Sequence, residues 1–146
     1  MGAQQHWSLA AGANQTADPN INQREGIAPS QVNDAARQII ARVKPYLLDT
    51  SGLLTTGGIL TAYTVTTNEG FNALVDGTTL VVRLHVTNGA AATFSPDGQT
   101  PRPLRVAPGV AIPANALIAN VPVRVTYYAA NDEWLAQGAQ AGMLAA

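Results

Sequence analysis

Apolar residues recur with one period before Ser51 and another after Leu53, and no single element accommodates both. In the segment ADPNINQREGIAPSQVNDAARQIIARVKPYLLDTS, residues 17–51, the side chains of Val32, Ala36, Ile39, Ile40, Val43, Tyr46 and Leu47 fall within an arc of roughly 120° at about 100° per residue. Asn33, Asp34, Arg37, Gln38, Arg42 and Lys44 lie outside that arc. This pattern predicts an amphipathic helix over residues 30–50. Ser30 is the expected N-cap, with Pro29 ahead of it and Asp34 near the positive end of the dipole. Pro45 cannot donate to Ala41 and its ring crowds that carbonyl, so the helix is expected to end near Val43 or to kink there.

After Leu53 the period is two. Leu80, Val82, Leu84 and Val86 alternate with Val81, Arg83, His85 and Thr87, which predicts a half-buried strand. Val121, Val123, Val125 and Tyr127 alternate likewise with Pro122, Arg124, Thr126 and Tyr128, and Pro122 suits an edge or a strand start. Shorter strands are expected at Leu60–Thr66, Ala92–Ser95, Leu104–Ala107 and Ala116–Ala119. Turns are expected at Asn68-Glu69-Gly70, Asp76-Gly77, Asn88-Gly89, Ser95-Pro96-Asp97-Gly98 and Ala130-Asn131-Asp132. Residues 53–138 therefore read as a small antiparallel β-sandwich or barrel, making the chain mainly β with one helix.

Residues 1–29 are rich in Gln, Asn, Ala and Gly and cannot build a core alone, so they read as an extended arm. Trp7 is either an anchor for a partner's pocket or a ring tucked against the chain's own sheet. Residues 139–146 read as a flexible tail, or as a plug for a neighbouring subunit through Met143 and Leu144. The arm has neither the basic nor the apolar region of a secretory signal, and no stretch approaches the roughly 20 apolar residues of a membrane span.

With 8 Lys plus Arg against 9 Asp plus Glu, only 12% charged residues and no run of either sign, the chain lacks the electrostatic footprint of a nucleic-acid or anionic-membrane binder. A surface so poor in charge, on a chain that is 47% hydrophobic, fits one largely covered in an assembly. The stripe Val32 to Leu47 either packs on its own domain or docks on another copy or partner. Three copies of it could bury against one another.

Candidate chemistry is sparse. The absence of cysteine removes disulfides and thiolate sites. Asp18, Asn20 and Asn22 are spaced as a calcium loop begins, but Gln23 stands where the turn glycine belongs and no acid closes the loop; Asx turns are the expected alternative. His6 and His85 are the only imidazoles, and His85 is expected at a surface or subunit contact. Asp132 and Glu133 are adjacent, hence on opposite faces, and make a poor acid–base pair. No cofactor or catalytic group is expected. Tyr128 and Trp134 remain as stacking candidates for a sugar, with the loops 88–91 and 108–115 beside them.

The stretch TADPNINQREGIAPSQVNDAARQIIARVKPYL, preceded by Trp7, resembles the amino-terminal segment of tailed-bacteriophage tail-fibre proteins. LLTTGGILTAYTVTT, LHVTNGAAATFSPDG, PRPLRVAPGVAIPA, LIANVPVRVTYY and EWLAQG resemble the β module that follows in phage and prophage fibres. The resemblance implies a homotrimeric virion subunit, made in the host cytoplasm, whose arm and helix attach to a tail or adaptor protein and whose β domain serves host attachment. On that reading Trp7, Ile21, Val32, Ala36, Ile39, Ile40, Val43 and Leu47 dock or oligomerise. Long fibres continue into a shaft and receptor-binding tip, whereas these residues end at Ala146, so direct contact with a host receptor is less firmly implied. The competing readings are a carbohydrate- or receptor-binding module and a capsid decoration or head-fibre protein.

Overall fold

A computed structural model describes residues 7–137. The tail expected at 139–146 and His6 lie outside the described residues. Among the described residues, a 3-10 turn, Ala11–Gln15, precedes one α-helix, α1, Pro29–Asp49. Nine strands follow: β1 Leu54–Thr55, β2 Gly57–Ile59, β3 Ala62–Val65, β4 Thr79–Arg83, β5 Thr93–Pro96, β6 Arg102–Ala107, β7 Val110–Ala111, β8 Pro122–Tyr128 and β9 Glu133–Gln137.

The strands form one sheet in the order β1-β4-β8-β9-β6-β5-β3-β2, with β7 paired to β6. The two ends of that order, β1 and β2, are separated in sequence by Thr56 alone, so the sheet curls into a nearly closed barrel. Hydrogen bonds seal the seam. Thr56 N–H donates to the Arg83 carbonyl (2.9 Å) and the His85 N–H donates to Thr56 Oγ1 (3.1 Å). The His85 ring bridges Thr56 Oγ1 through Nδ1 (3.0 Å) and the Gly58 carbonyl through Nε2 (3.2 Å).

The sheet is mixed, not wholly antiparallel: β1 with β4, β3 with β5, and β6 with β9 run parallel. A sandwich of two sheets is not what forms. Period-two patterning nonetheless holds along the two main strands, except that Val121, expected on the buried face, precedes β8 and is exposed. Leu80, Val82, Leu84, Val123, Val125 and Tyr127 are buried, while Arg83 and Arg124 are exposed. Pro122 opens β8, where its missing N–H costs no ladder bond along the strand's interior. Ala116–Ala119 is not a strand. It is a loop whose Ala116 and Leu117 are buried in the core and whose backbone pairs with Asn88: Leu117 N–H donates to Asn88 Oδ1 (2.7 Å) and Asn88 N–H to the Leu117 carbonyl (3.2 Å). Inside the barrel, Trp134 meets Phe94 edge to face (centroids 5.1 Å apart) and Tyr127 at a tilt (5.5 Å). Tyr63 is equally buried; its hydroxyl donates to the Val86 carbonyl (2.8 Å) and burial pushes its pKa up to about 12.

The helix corrects two expectations. Its N-cap is Ala28, with Pro29 at the first helical position and the Gln31 side chain accepting from the Ala28 N–H (3.1 Å); Ser30 lies inside the first turn. Pro45 does not end the helix, which continues to Asp49. Tertiary contacts at Asp49 stabilise the added turn. Asp49 is 2% exposed and accepts from Asn68 N–H (2.9 Å), Asn68 Nδ2 (2.6 Å) and Glu69 N–H (3.0 Å), tying the helix end to the loop after β3.

Candidate assembly surface

The described residues before α1, 7–28, do not extend away from it. Asp18 turns the chain by accepting from Asn20 N–H (2.9 Å), and its other oxygen pairs with Arg42 Nε on α1 (3.2 Å). Asn22 makes a second such turn with Arg24 N–H (3.3 Å), so the Asp18–Glu25 run carries Asx-type turns. Ile21 and Ala35 are both buried, although neither belongs to the barrel's core cluster. Trp7, Ala11, Asn14, Gln15, Asp18, Ile21, Gln23 and Ile39 enclose a cavity of about 300 Å³ between arm and helix. Trp7 is half-buried in the wall of a cavity of its own chain and does not lie on the sheet.

The face of α1 turned toward its own chain runs through Ala35, Arg42 and Asp49, which are seven residues apart and are buried or half-buried. This face is not the apolar stripe. Ile40 is 69% exposed, Val32 and Leu47 54% each and Tyr46 51%; Ile39 and Ala36 are also exposed, and Val43 is half-buried. Along that outward face Val32, Ala36, Ile39, Val43 and Tyr46 follow one another at spacings of 4, 3, 4 and 3, the repeat of a helix-packing seam, with Ile40 and Leu47 widening it on one side. Asp34 and Arg37 pair with each other off the stripe (3.1 Å). The own-domain packing expected of an ordinary surface helix is thus centred on a different face; Ile39 and Tyr46 line the two cavities at the margin of the stripe, while Val32, Ile40 and Leu47 are left in solvent.

The sugar-stacking pair does not come together. Trp134 is 0% exposed, so its ring is a core element and is withdrawn as a contact residue; Tyr128 is half-buried at the end of β8. The two loops expected beside them are committed to each other. Asn88, 1% exposed, donates through Nδ2 to the Gly89 and Pro113 carbonyls (2.9 Å each), and Asn115 N–H donates to the Asn88 carbonyl (2.8 Å).

Carboxylates are similarly engaged. Asp132 accepts from the Tyr127 hydroxyl (2.6 Å) and from Arg102 Nε, and these two partners hold its carboxyl below the usual range. Glu133, nearly buried, accepts from Gly109 N–H (3.0 Å) and Asn131 Nδ2 (3.1 Å) and faces Arg105 (3.6 Å). Glu69 differs: burial, and then Asp49, raise its pKa at the wall of a second cavity of about 370 Å³. No cluster of three or more His, Cys, Asp or Glu able to hold a metal occurs among the described residues. No helix among them is long and apolar enough to cross a membrane.

The Asp18–Arg42 lock and the Asp49 latch were not legible in the sequence, because each joins groups far apart along the chain with no local spacing signal. Compared with known protein families and with curated proteins, the chain matches none.

Proposed function

We propose that this chain is a non-enzymatic structural subunit of a tailed-bacteriophage virion, a tail-fibre or fibre-anchoring protein that self-associates, as a homotrimer, through the outward face of α1. The observation that carries the assembly role is the solvent exposure of Val32, Ile40, Tyr46 and Leu47 on a helix whose buried contacts are centred on another face, Ala35, Arg42 and Asp49. Fully burying a Val, Ile or Leu side chain contributes about 1.5–3 kcal/mol, so side chains left half to two-thirds exposed hold back roughly 1–2 kcal/mol each. Val32, Ile40, Tyr46 and Leu47 together amount to roughly 4 kcal/mol or more per protomer before ordering costs, a driving force realised only when another surface covers them. The virion assignment rests on the resemblance of residues 7–47 and of the β segments to phage fibres.

In this reading the arm and helix fix the subunit to a tail or adaptor protein and the barrel is carried outward, toward the host surface. A capsid location uses the same surface. A carbohydrate-binding role is weaker, since of Tyr128 and Trp134 only Tyr128 keeps part of its ring in solvent.

The test compares Ile40→Asp with Tyr128→Ala. Both side chains can be changed without opening the core, so each variant is expected to fold. Burying an aspartate in the seam costs several kcal/mol on top of the lost aliphatic contact. Ile40→Asp should therefore sediment as a monomer and be missing from purified particles, while Tyr128→Ala assembles and is incorporated. Normal incorporation of Ile40→Asp together with loss of cell attachment by Tyr128→Ala would overturn the proposal.

A further inference from the structure

The segment before α1 carries a second exposed apolar group that the stripe does not explain. Leu9 is fully exposed (109%), more so than any other large apolar side chain among the described residues. It is not on a loose loop. The Asn14 side chain clasps the Ser8 backbone from both sides, its Oδ1 accepting from Ser8 N–H (2.7 Å) and its Nδ2 donating to the Ser8 carbonyl (2.9 Å). Ser8 Oγ also accepts from Ala10 N–H (3.1 Å), and residues 11–15 close the loop as a 3-10 turn. The leucine is thus held out at the tip of a hydrogen-bonded loop, with much of the ordering cost of a contact already met within the chain.

The residues on either side of this tip, Trp7 and Ala11, line the cavity between arm and helix, whereas Leu9 is turned to solvent. The clasped loop keeps Leu9 out of its own chain's cavity. The cavity's apolar wall is Trp7, Ala11, Ile21 and Ile39, and its one charged lining group, Asp18, is neutralised by Arg42. An aliphatic side chain entering it therefore leaves no unpaired charge behind. Ile39 belongs to both surfaces: it lines the cavity and stands in the outward seam of α1. The seam and the cavity therefore adjoin at Ile39.

We infer that Leu9 is a preformed knob that seats in the Trp7–Ile21–Ile39 cavity of a second copy of this chain. The contact is head to tail. Each protomer offers a knob to one neighbour and a socket to the other, so repetition around a helix bundle closes a ring and fixes its register. The inference rests on the reading of α1 as a self-association face.

The chain has no cysteine, so single thiols report cleanly. Full-length Leu9→Cys, carrying a tag, is mixed under exchange conditions with full-length untagged Gln23→Cys; Gln23 is exposed and lines the cavity. A short bismaleimide is then added and the products are separated by mass. The expected result is that the mixed Leu9→Cys/Gln23→Cys product dominates over both same-variant products. In parallel, Leu9→Asp is expected to weaken self-association about 10-fold or more with an unchanged melting temperature. An oligomeric wild type whose mixed product is no more abundant than the same-variant products, or whose association Leu9→Asp leaves untouched, overturns the knob and socket while the α1 seam stands. A monomeric wild type overturns the α1 reading and this inference with it.

Discussion

Trp134 is the residue at which a binding role and a folding role make opposite demands. Its ring is fully buried against Phe94 and Tyr127, yet its indole N–H has no hydrogen-bond partner. Trp134→Ala removes the largest side chain in the barrel and leaves a cavity, a change that costs about 3–5 kcal/mol. Against a total stability of about 5–15 kcal/mol, that is a lowering of the melting temperature by roughly 10–20 °C for a chain of this size. Trp134→Phe keeps an aromatic ring in contact with Phe94 and deletes the unpartnered donor. The lost apolar burial costs about 1–2 kcal/mol, and relief of a buried unsatisfied N–H returns about 1–3 kcal/mol, so the net change should lie between about 1 kcal/mol destabilising and about 2 kcal/mol stabilising. Urea unfolding followed by tryptophan-independent circular dichroism measures both variants on the same scale. If Trp134→Phe is as damaging as Trp134→Ala, the orphaned-donor reasoning is refuted. If Trp134→Ala is stable to within about 1 kcal/mol, the core assignment itself fails.

Two more outcomes depend on single residues. Pro45 sits inside α1, where it forfeits a backbone bond to Ala41; Pro45→Ala should stabilise the chain by about 1–3 kcal/mol in thermal melts, and a destabilisation would mean that the ring's packing outweighs the missing bond. Asp132 has its carboxyl pKa lowered by the Tyr127 hydroxyl and then Arg102, so its stabilising contribution is present above the ordinary carboxylate range and is lost as pH falls through the depressed value. Asp132→Asn tolerates the same left-handed backbone (φ 51°), so the urea midpoint difference from wild type should be largest near neutrality and shrink on acidification; a difference independent of pH would contradict the sign.

The parts of this structure that were legible in the sequence are those governed by local periodicity. Leu80, Val82 and Leu84 alternate because a strand with one buried face must, and the same holds for Val123, Val125 and Tyr127. The helix was legible for the same reason, and its stripe was identified residue by residue. The direction the stripe faces was not, because amphipathicity reports that a face is apolar and not what covers it. Pro45 misled because its local penalty is outweighed by tertiary anchoring of Asp49 to Asn68 and Glu69, 19 and 20 residues away. Barrel closure was hidden too, since β1 and β2 are two- and three-residue strands and their seam depends on Thr56 meeting His85, 29 residues along the chain. Trp134 stood as a stacking candidate because an aromatic ring suits a sugar face as well as a core. The parallel register of β9 with β6, Leu104 against Trp134, draws it inside.

Self-association through α1 is the central claim, and the mass of the intact chain in solution tests it most directly. Light scattering coupled to size exclusion across a range of concentrations should give a trimer of the 15.1 kDa chain that Ile40→Asp converts to monomer. A wild-type mass that stays at one chain at every concentration would contradict it.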